Sequence, residues 1–374
     1  MENINNNLKV SSYQALLLII LYRIIIAFTY LPIVNTVPRN QDIWIVLLLS
    51  IPYTIILFWP LMYLGNKFKG LNLIQYTEKI LGRFFGKIFN IYYILFLFLF
   101  CIILVSTLVE ILNTTMFLET PTYVTTAIII ITCAYVSYKG LESIARGAEI
   151  FVPFILLTIL LFVVLSYNNY DFTVLLPILK DSTFKELSKG SLDRSIKFSD
   201  ALILAMLSPH LEKKEDLNGI FVKSVIYSII IIIILVVSTQ AVLGIEYPKH
   251  INFPFFTFSR LVNLLDFIQR IELLIVIALI TGNIGKISGY MYFASVAFAQ
   301  TLNKDNNKVY IVPISIMVFI ITLVIKDRRS ILAVGDTLQS IILITSFIAL
   351  FILPLITMIV YFFRKDKFSD IKNN

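Results

Sequence analysis

Residues 14–32 read QALLLIILYRIIIAFTYLP, an apolar segment with a single charge, Arg23, at its centre. Its length is enough for one helix to cross a bilayer. An arginine at the middle of such a helix costs about 2.5–3.5 kcal/mol on insertion scales, so it normally faces a bundle interior or a water-filled cavity. We therefore predict a helix of a membrane bundle, with Arg23 in a salt bridge, in contact with a ligand or ion, or snorkelling to the interface.

The rest of the chain repeats this apolar pattern. Its 374 residues are 58% hydrophobic and 14% charged, whereas about 25% of residues are charged in soluble domains. Apolar segments of about 17–25 residues predict ten transmembrane helices and leave no room for a soluble domain. We therefore expect an all-α polytopic protein in which residues 1–374 form one integral membrane domain. The predicted helices span residues 12–34, 42–64, 88–113, 122–138, 148–167, 196–211, 219–243, 271–298, 309–325 and 337–363.

The distribution of basic residues predicts the orientation. The short loops after the even-numbered helices and the C-terminal tail are rich in lysine and arginine, while most basic residues of the opposite side lie in two longer loops, 168–195 and 244–270. Short loops weigh more in the positive-inside rule, so both termini are predicted to be cytoplasmic. Because the basic residues lie in these loops, the net charge of +8 reflects topology and not a nucleic-acid partner. In the second long loop, a helical apolar period starting at Phe255 predicts an amphipathic helix that lies in the outer interface or folds over the mouth of the bundle.

Residues suited to catalysis or metal binding are sparse. Cys101 and Cys133 both fall within apolar segments, and the two histidines, His210 and His250, are far apart. These positions do not fit a metal centre. The sequence also lacks a nucleotide-binding glycine loop and a nucleophile beside a base. We therefore expect a protein that is not an enzyme and that needs no cofactor.

The sixth predicted helix is unusually short. It lies within RSIKFSDALILAMLSPHLEKKED, residues 194–216, where Asp200 precedes an uncharged core that ends near Ser208 and Pro209. A helix cannot continue normally through the proline, because the ring removes a donor and clashes one turn back. Charged or broken segments persist at membrane depth only where they are buried in protein or line a cavity. The sixth helix is therefore expected to line an internal site.

Helices 1 and 6 are the first members of two sets of five, which we place at residues 12–167 and 196–363. Transporters with inverted repeats carry their binding site at short or interrupted helices in corresponding positions of the two halves. Arg23 and Asp200 lie on these two helices. They are therefore candidate site residues, either paired with each other or in contact with a ligand.

The eighth predicted helix contains TGNIGKISGY, residues 281–290. Its glycines at 282, 285 and 289 lie on or near one face and would let a neighbouring backbone approach closely. Lys286 lies near the middle of the span. It is expected either to pair with a carboxylate or to occupy a place where other transporters bind a sodium ion.

The most specific stretches lie in the cytoplasmic loops and the adjoining helix ends. They are ILGRFFGKIFNIYY (80–93), ETPTYV (119–124) and KGLESIARGAEIFVP (139–153), together with Gln14, Pro32 and QDIW (41–44). These stretches resemble the permease-like B subunit of endospore germinant receptors, within the amino acid–polyamine–organocation transporter superfamily. The resemblance covers nearly the whole chain.

The resemblance implies a five-plus-five inverted repeat with discontinuous helices 1 and 6. It also implies the inner membrane of a bacterial spore, an A subunit and a lipoprotein C subunit as partners, and a small germinant, commonly an amino acid. The implied pocket is lined by helix 1 from Arg23 to Thr29, by helix 6 from Asp200 to Ser208, and by the inward faces of helices 3 and 8, with Lys286 on helix 8. Many relatives have a glycine-containing break in helix 1 where this chain has RIIIAFT, and a glycine–glutamate pair where it has Ser199 and Asp200.

Three functions agree with these features. In the first, a receptor subunit binds a small zwitterion or similar solute, with a broken helix end and Arg23 contacting its carboxylate and Asp200 its ammonium. In the second, a secondary transporter moves an amino acid with H⁺ or Na⁺, using Asp200 or Lys286 as the coupling group. In the third, partner subunits open an ion or solute channel. The resemblance favours the first.

Overall fold

The computed structural model describes residues 9–29, 40–180, 182–251, 253–261, 271–326, 335–366 and 368, with side chains from 9–27, 41–180, 182–251, 253–261, 271–325, 340–366 and 368. In these residues the regular elements are helices, with one isolated β-bridge. The helices are α1 Ser12–Thr29, α2 Ile43–Leu57, α3 Trp59–Lys67, α4 Leu73–Leu81, α5 Arg83–Thr115, α6 Thr122–Lys139, α7 Leu141–Leu165, α8 Phe184–Ile196, α9 Asp200–Leu207, α10 Leu217–Leu243, α11 Pro254–Arg260, α12 Leu273–Thr301, α13 Lys308–Lys326, α14 Gly335–Phe347 and α15 Leu353–Phe363.

The polytopic all-α prediction is confirmed. Within the described residues, six helices are long and apolar enough to cross a membrane, and the α2–α3 pair, bent by 43°, meets the same criteria when taken as one broken span. The bend follows from Pro60, at the start of α3, which cannot donate a backbone hydrogen bond and crowds the preceding turn. The ten predicted spans correspond to α1, α2–α3, α5, α6, α7, α8–α9, α10, α12, α13 and α14–α15.

The sixth span differs from its prediction. The sequence indicated a helix over 196–211 after a long loop, whereas the chain is already helical from Phe184 and breaks at residues 197–199. Thr183 and Glu186 form a reciprocal capping box that starts α8. After α9, residues 208–210 make a 3₁₀ turn at Pro209, so the proline ends the helix as expected. The sixth span therefore consists of α8 and α9 joined by a three-residue break.

Two sets of contacts attach the halves of this broken span to different helices. On α8, Ser191 and Ser195 donate hydrogen bonds of 2.9 and 3.1 Å to the carbonyl oxygens of Val46 and Ser50 on α2. On the other side of the break, α9 packs against α1, α3, α4 and α12. The two halves can therefore respond differently to a change at the break.

The start of α1 is tied to the segment that follows α9. Val10 and Leu211 form a parallel β-bridge, in which the Val10 N–H donates to the His210 carbonyl at 2.8 Å. The Ser12 hydroxyl donates to Asp216 Oδ2 at 2.5 Å. Ser11 and Gln14 cap the first turn of α1 with reciprocal hydrogen bonds of 3.0 and 3.1 Å. These bonds define the N-terminal strap, residues 10–12 with 210–216.

Two other predictions fall partly outside the described residues. The interfacial helix in loop 244–270 begins as α11 at Pro254, but residues 262–270 lie outside them. The segment RIIIAFT is helical up to the end of α1, in keeping with its lack of glycine, and residues 30–39 lie outside the described residues. The repeat boundaries at 12–167 and 196–363 stay a prediction.

Candidate ligand site

A buried ion pair lies beside the break in the sixth span. Asp200, the first residue of α9, and Lys286, on α12, are both 0% exposed. Lys286 Nζ lies 2.9 Å from Asp200 Oδ1. The prediction that Lys286 pairs with a carboxylate is therefore confirmed. Removing these charges from water costs several kcal/mol per ion, so their mutual contact and further hydrogen bonds are needed to hold them.

Three more polar groups complete the contacts of this pair. The Tyr290 hydroxyl donates to Asp200 Oδ1 at 2.9 Å, and the Ser199 and Tyr290 hydroxyls lie 2.9 Å apart. Because Tyr290 donates to Asp200, Ser199 is the donor in that second bond. Lys286 also donates to the backbone carbonyl of Tyr22 on α1. We call Tyr22, Ser199, Asp200, Lys286 and Tyr290 the buried polar cluster.

One oxygen of this cluster has no partner. Both Lys286 and Tyr290 contact Asp200 Oδ1, while Asp200 Oδ2 is buried without a hydrogen bond. A buried carboxylate oxygen without a donor is costly, because its hydration is lost and not replaced. The oxygen is therefore available to a donor group from a ligand or a water molecule.

The glycines of α12 allow this close approach to α1. A Cβ at Gly289 would lie 1.6 Å from the Tyr22 hydroxyl oxygen, and one at Gly282 would lie 2.3 Å from Ile25 Cδ1. Neither distance is sterically possible, so a side chain at these positions would force the helices apart. The predicted role of the glycines in close helix packing is confirmed.

Arg23 lies on the other side of the break. Its NH1 group donates to the Lys197 carbonyl at 3.3 Å, and its guanidinium carbon lies 4.7 Å from the centre of the Phe198 ring. The side chain is 7% exposed, and its Nε has no hydrogen-bond partner. None of the ion pairs in the described residues includes Arg23. Its proposed pairing with Asp200 is therefore replaced by the Lys286–Asp200 pair.

Helix ends place these charges favourably. Lys197 follows the last residue of α8, so Arg23 bonds to a carbonyl at the negative end of that helix dipole. Asp200 begins α9 and lies at the positive end of its dipole. The break therefore brings together a cation and an anion, each at the helix end that stabilises it.

The remaining predicted site residues are farther away. Ser208 lies at the far end of α9, about 12 Å along the axis from Asp200, and donates to the carbonyls of Ala205 at 3.0 Å and Leu71 at 3.4 Å. Thr29 ends α1, and its side chain lies outside the described residues. The structure thus brings Asp200 and Lys286 into contact and places Arg23 at the same break.

Sequence reasoning missed three members of the buried polar cluster. Tyr290 lies four residues after Lys286 and therefore on the same face of α12. This spacing is a sequence signal from which Tyr290 could have been predicted. Ser199 was noted only beside Asp200. Tyr22 contributes a backbone carbonyl to Lys286, which no side-chain pattern indicates.

Comparison with known proteins agrees with this architecture. Residues 9–331 match the family model described as spore germination protein. The chain is 23% identical to spore germination protein KB of Bacillus subtilis, over 78% of this chain and 79% of the relative. It is 22% identical to spore germination protein YndE of the same organism, over 96% and 97%. It is 24% identical to spore germination protein XB of Bacillus anthracis, over 88% and 90%.

Two solved transporter structures share the fold. A Na⁺-coupled sialic acid symporter in a substrate-bound outward-open state is similar with a TM-score of 0.65 and 14% identity, over 94% of this chain and 79% of that one. MhsT in complex with L-phenylalanine is similar with a TM-score of 0.60 and 14% identity, over 90% and 87%. The family match over residues 9–331 and this polytopic transporter fold lead to one conclusion: the chain belongs to the spore permease family of spore germination proteins.

Proposed function

We propose that this chain is the membrane subunit of a spore germinant receptor and binds a small germinant, an amino acid or similar solute, at the break between α8 and α9. The observation that carries the proposal is a set of buried charges at a helix break, with Asp200 Oδ2 unpartnered beside the Lys286 ammonium and Arg23 across the break. Charges at such depth in a membrane bundle mark functional sites. Ser208 and Thr29 stay candidates for the ends of this pocket.

Binding at the break acts on two differently attached segments. The serines of α8 bond to α2, whereas α9 packs on α1 and α12. A ligand that contacts Arg23 and Asp200 together binds best in one relative position of these segments. It therefore shifts the population toward that position, which is the requirement for a ligand to drive a conformational change. The shift passes to an A subunit and a lipoprotein C subunit in the inner membrane of the spore, with both termini of this chain cytoplasmic.

The test uses spores in which this chain is replaced by variants. Arg23→Gln and Tyr290→Phe should lower or abolish germination in response to the receptor's germinant, with the protein still present in the membrane fraction. Glu215→Gln is the matched control, because Glu215 forms an exposed salt bridge with Lys69, remote in sequence from the break. A full response from both site variants would refute the site.

The alternative function is an ion-coupled amino acid permease. Its support is the fold shared with a Na⁺-coupled symporter and with MhsT. Proteoliposomes that contain this chain alone separate the two functions. A receptor subunit should accumulate no labelled amino acid under an imposed H⁺ or Na⁺ gradient, whereas gradient-driven uptake would establish the permease.

A further inference from the structure

The charges around the break do not balance. Lys286 and Asp200 neutralise each other at 2.9 Å. Arg23 contacts only neutral groups among those described, the Lys197 carbonyl and the Phe198 ring. At the end of α8, Arg194 and Lys197 add two further positive charges, and Asp193 adds one negative charge. The described side chains around the break therefore carry a net positive charge, and the buried Arg23 guanidinium forms no ion pair among them.

From this imbalance we infer that the site selects an anionic carboxylate and does not require an amino group on the ligand. The inference rests on the proposed function and specifies its ligand class. A carboxylate at Arg23 supplies the missing negative charge and makes charge-assisted hydrogen bonds. A 2-hydroxy acid, with its negative carboxylate and neutral hydroxyl, lowers this excess of positive charge, whereas a zwitterion leaves it unchanged.

The partner for the second group of the ligand is Asp200 Oδ2. This oxygen can accept a hydrogen bond from a neutral hydroxyl as well as from an ammonium. An ammonium there is attracted to Asp200 but repelled by Lys286, which already holds the other oxygen of the same carboxylate, and by Arg23. Because the repulsion offsets the attraction, the main effect of the ammonium on binding is the cost of removing its charge from water. The hydroxyl avoids that cost, so the hydroxy acid should bind more tightly than the matching amino acid.

The experiment measures binding to the purified full chain in nanodiscs by isothermal titration calorimetry. The probes are matched pairs with the same side chain: glycine and glycolate, L-alanine and L-lactate, L-phenylalanine and L-phenyllactate. Ethylamine and phenethylamine, which lack the carboxylate, complete the set. In the pair whose side chain fits, the hydroxy acid should bind about tenfold or more tightly than the amino acid, and neither amine should bind.

Two variants that remove charges test the cause of this preference for the hydroxy acid. Lys286→Gln leaves the Asp200 charge uncompensated, so the preference should reverse toward the amino acid. The double variant Asp200→Asn with Lys286→Gln removes both charges, keeps Arg23 unbalanced and should keep the preference for the hydroxy acid. It also avoids an unpaired carboxylate at position 200, so it provides the measurement if the single variant does not fold.

The outcomes distinguish a failure of this inference from a failure of the proposed germinant-binding function. Tighter binding of amino acids than of hydroxy acids in the unmodified chain would overturn the inference and leave the proposed function intact. The same holds if the double variant prefers amino acids. If no acid of either series binds the unmodified chain, the proposed amino acid-like ligand fails, and the inference fails with it.

Discussion

Replacing Lys286 with methionine would leave the Asp200 carboxylate buried with only the Tyr290 hydroxyl as a partner. Both members of the ion pair are 0% exposed, so bulk solvent does not reach the carboxylate to take the place of the ammonium. Removal of one partner from a buried pair costs about 3–5 kcal/mol, because the remaining charge is uncompensated. We expect the free energy of unfolding to fall by about that amount for Lys286→Met alone.

The double variant Asp200→Asn with Lys286→Met should recover much of this loss. Asparagine keeps an acceptor for the Tyr290 hydroxyl, and methionine fills the volume of the lysine stem without a charge. Replacement of a whole buried pair by neutral groups is often close to neutral. A double-mutant cycle should therefore give a coupling energy of at least about 2 kcal/mol, because the two single losses share one cause.

The assay is reversible unfolding of the purified chain in mixed micelles, followed by circular dichroism. The matched control is the same cycle on Lys69 and Glu215, whose side chains are 3.1 Å apart but 47% and 83% exposed. That exposed pair should show no measurable coupling, because solvent screens it. If the single losses at Asp200 and Lys286 simply add, the ion pair does not hold these helices together, and the reasoning is refuted.

Two further predictions concern the contact between α1 and α12. Gly289→Ala should destabilise the chain by about 1–3 kcal/mol through overpacking against Tyr22. Gly219→Ala is the control and should not destabilise it, because a Cβ there would meet nothing within 4 Å. The same unfolding assay compares the two variants. Tyr290→Phe should lower the free energy of unfolding by about 1.5–3 kcal/mol, because it removes a hydrogen bond to the charged Asp200. The same substitution should cost less in a chain that already carries Asp200→Asn. An equal loss in both chains would contradict the role of this hydrogen bond.

The sequence was sufficient for the membrane class and for most spans, because long uncharged segments have few alternatives to a membrane helix. The sequence-based prediction missed α8, because its charged residues are not typical of a membrane span; they include Lys185, Glu186, Asp193 and Arg194. This helix instead packs on α2 through serine hydroxyls, a contact that hydropathy does not detect. Its capping box at residues 183–186 was a visible start signal, since it follows the pattern of threonine and glutamate three residues apart.

The candidate site was only partly predictable. Arg23 and Lys286 were identified as charges near the middle of spans, and Asp200 as a charge before the core of a short one. Their pairing, however, depends on how each helix is rotated. That rotation follows from tertiary contacts, such as the approach of Tyr22 to Gly289. One sequence with three buried charges allows more than one pairing, so the contact between Asp200 and Lys286 required the structure.

The N-terminal strap has a consequence for the order of assembly. Ser12 and its acceptor Asp216 are 204 positions apart in the chain. During synthesis, chains emerge at about 5–20 residues per second, and N-terminal parts can fold first. Here the first helix enters the membrane early but cannot complete its strap until residues 210–216 have been made. Its final seating therefore waits until more than half of the chain is synthesised, although the helix itself is made about 200 residues earlier.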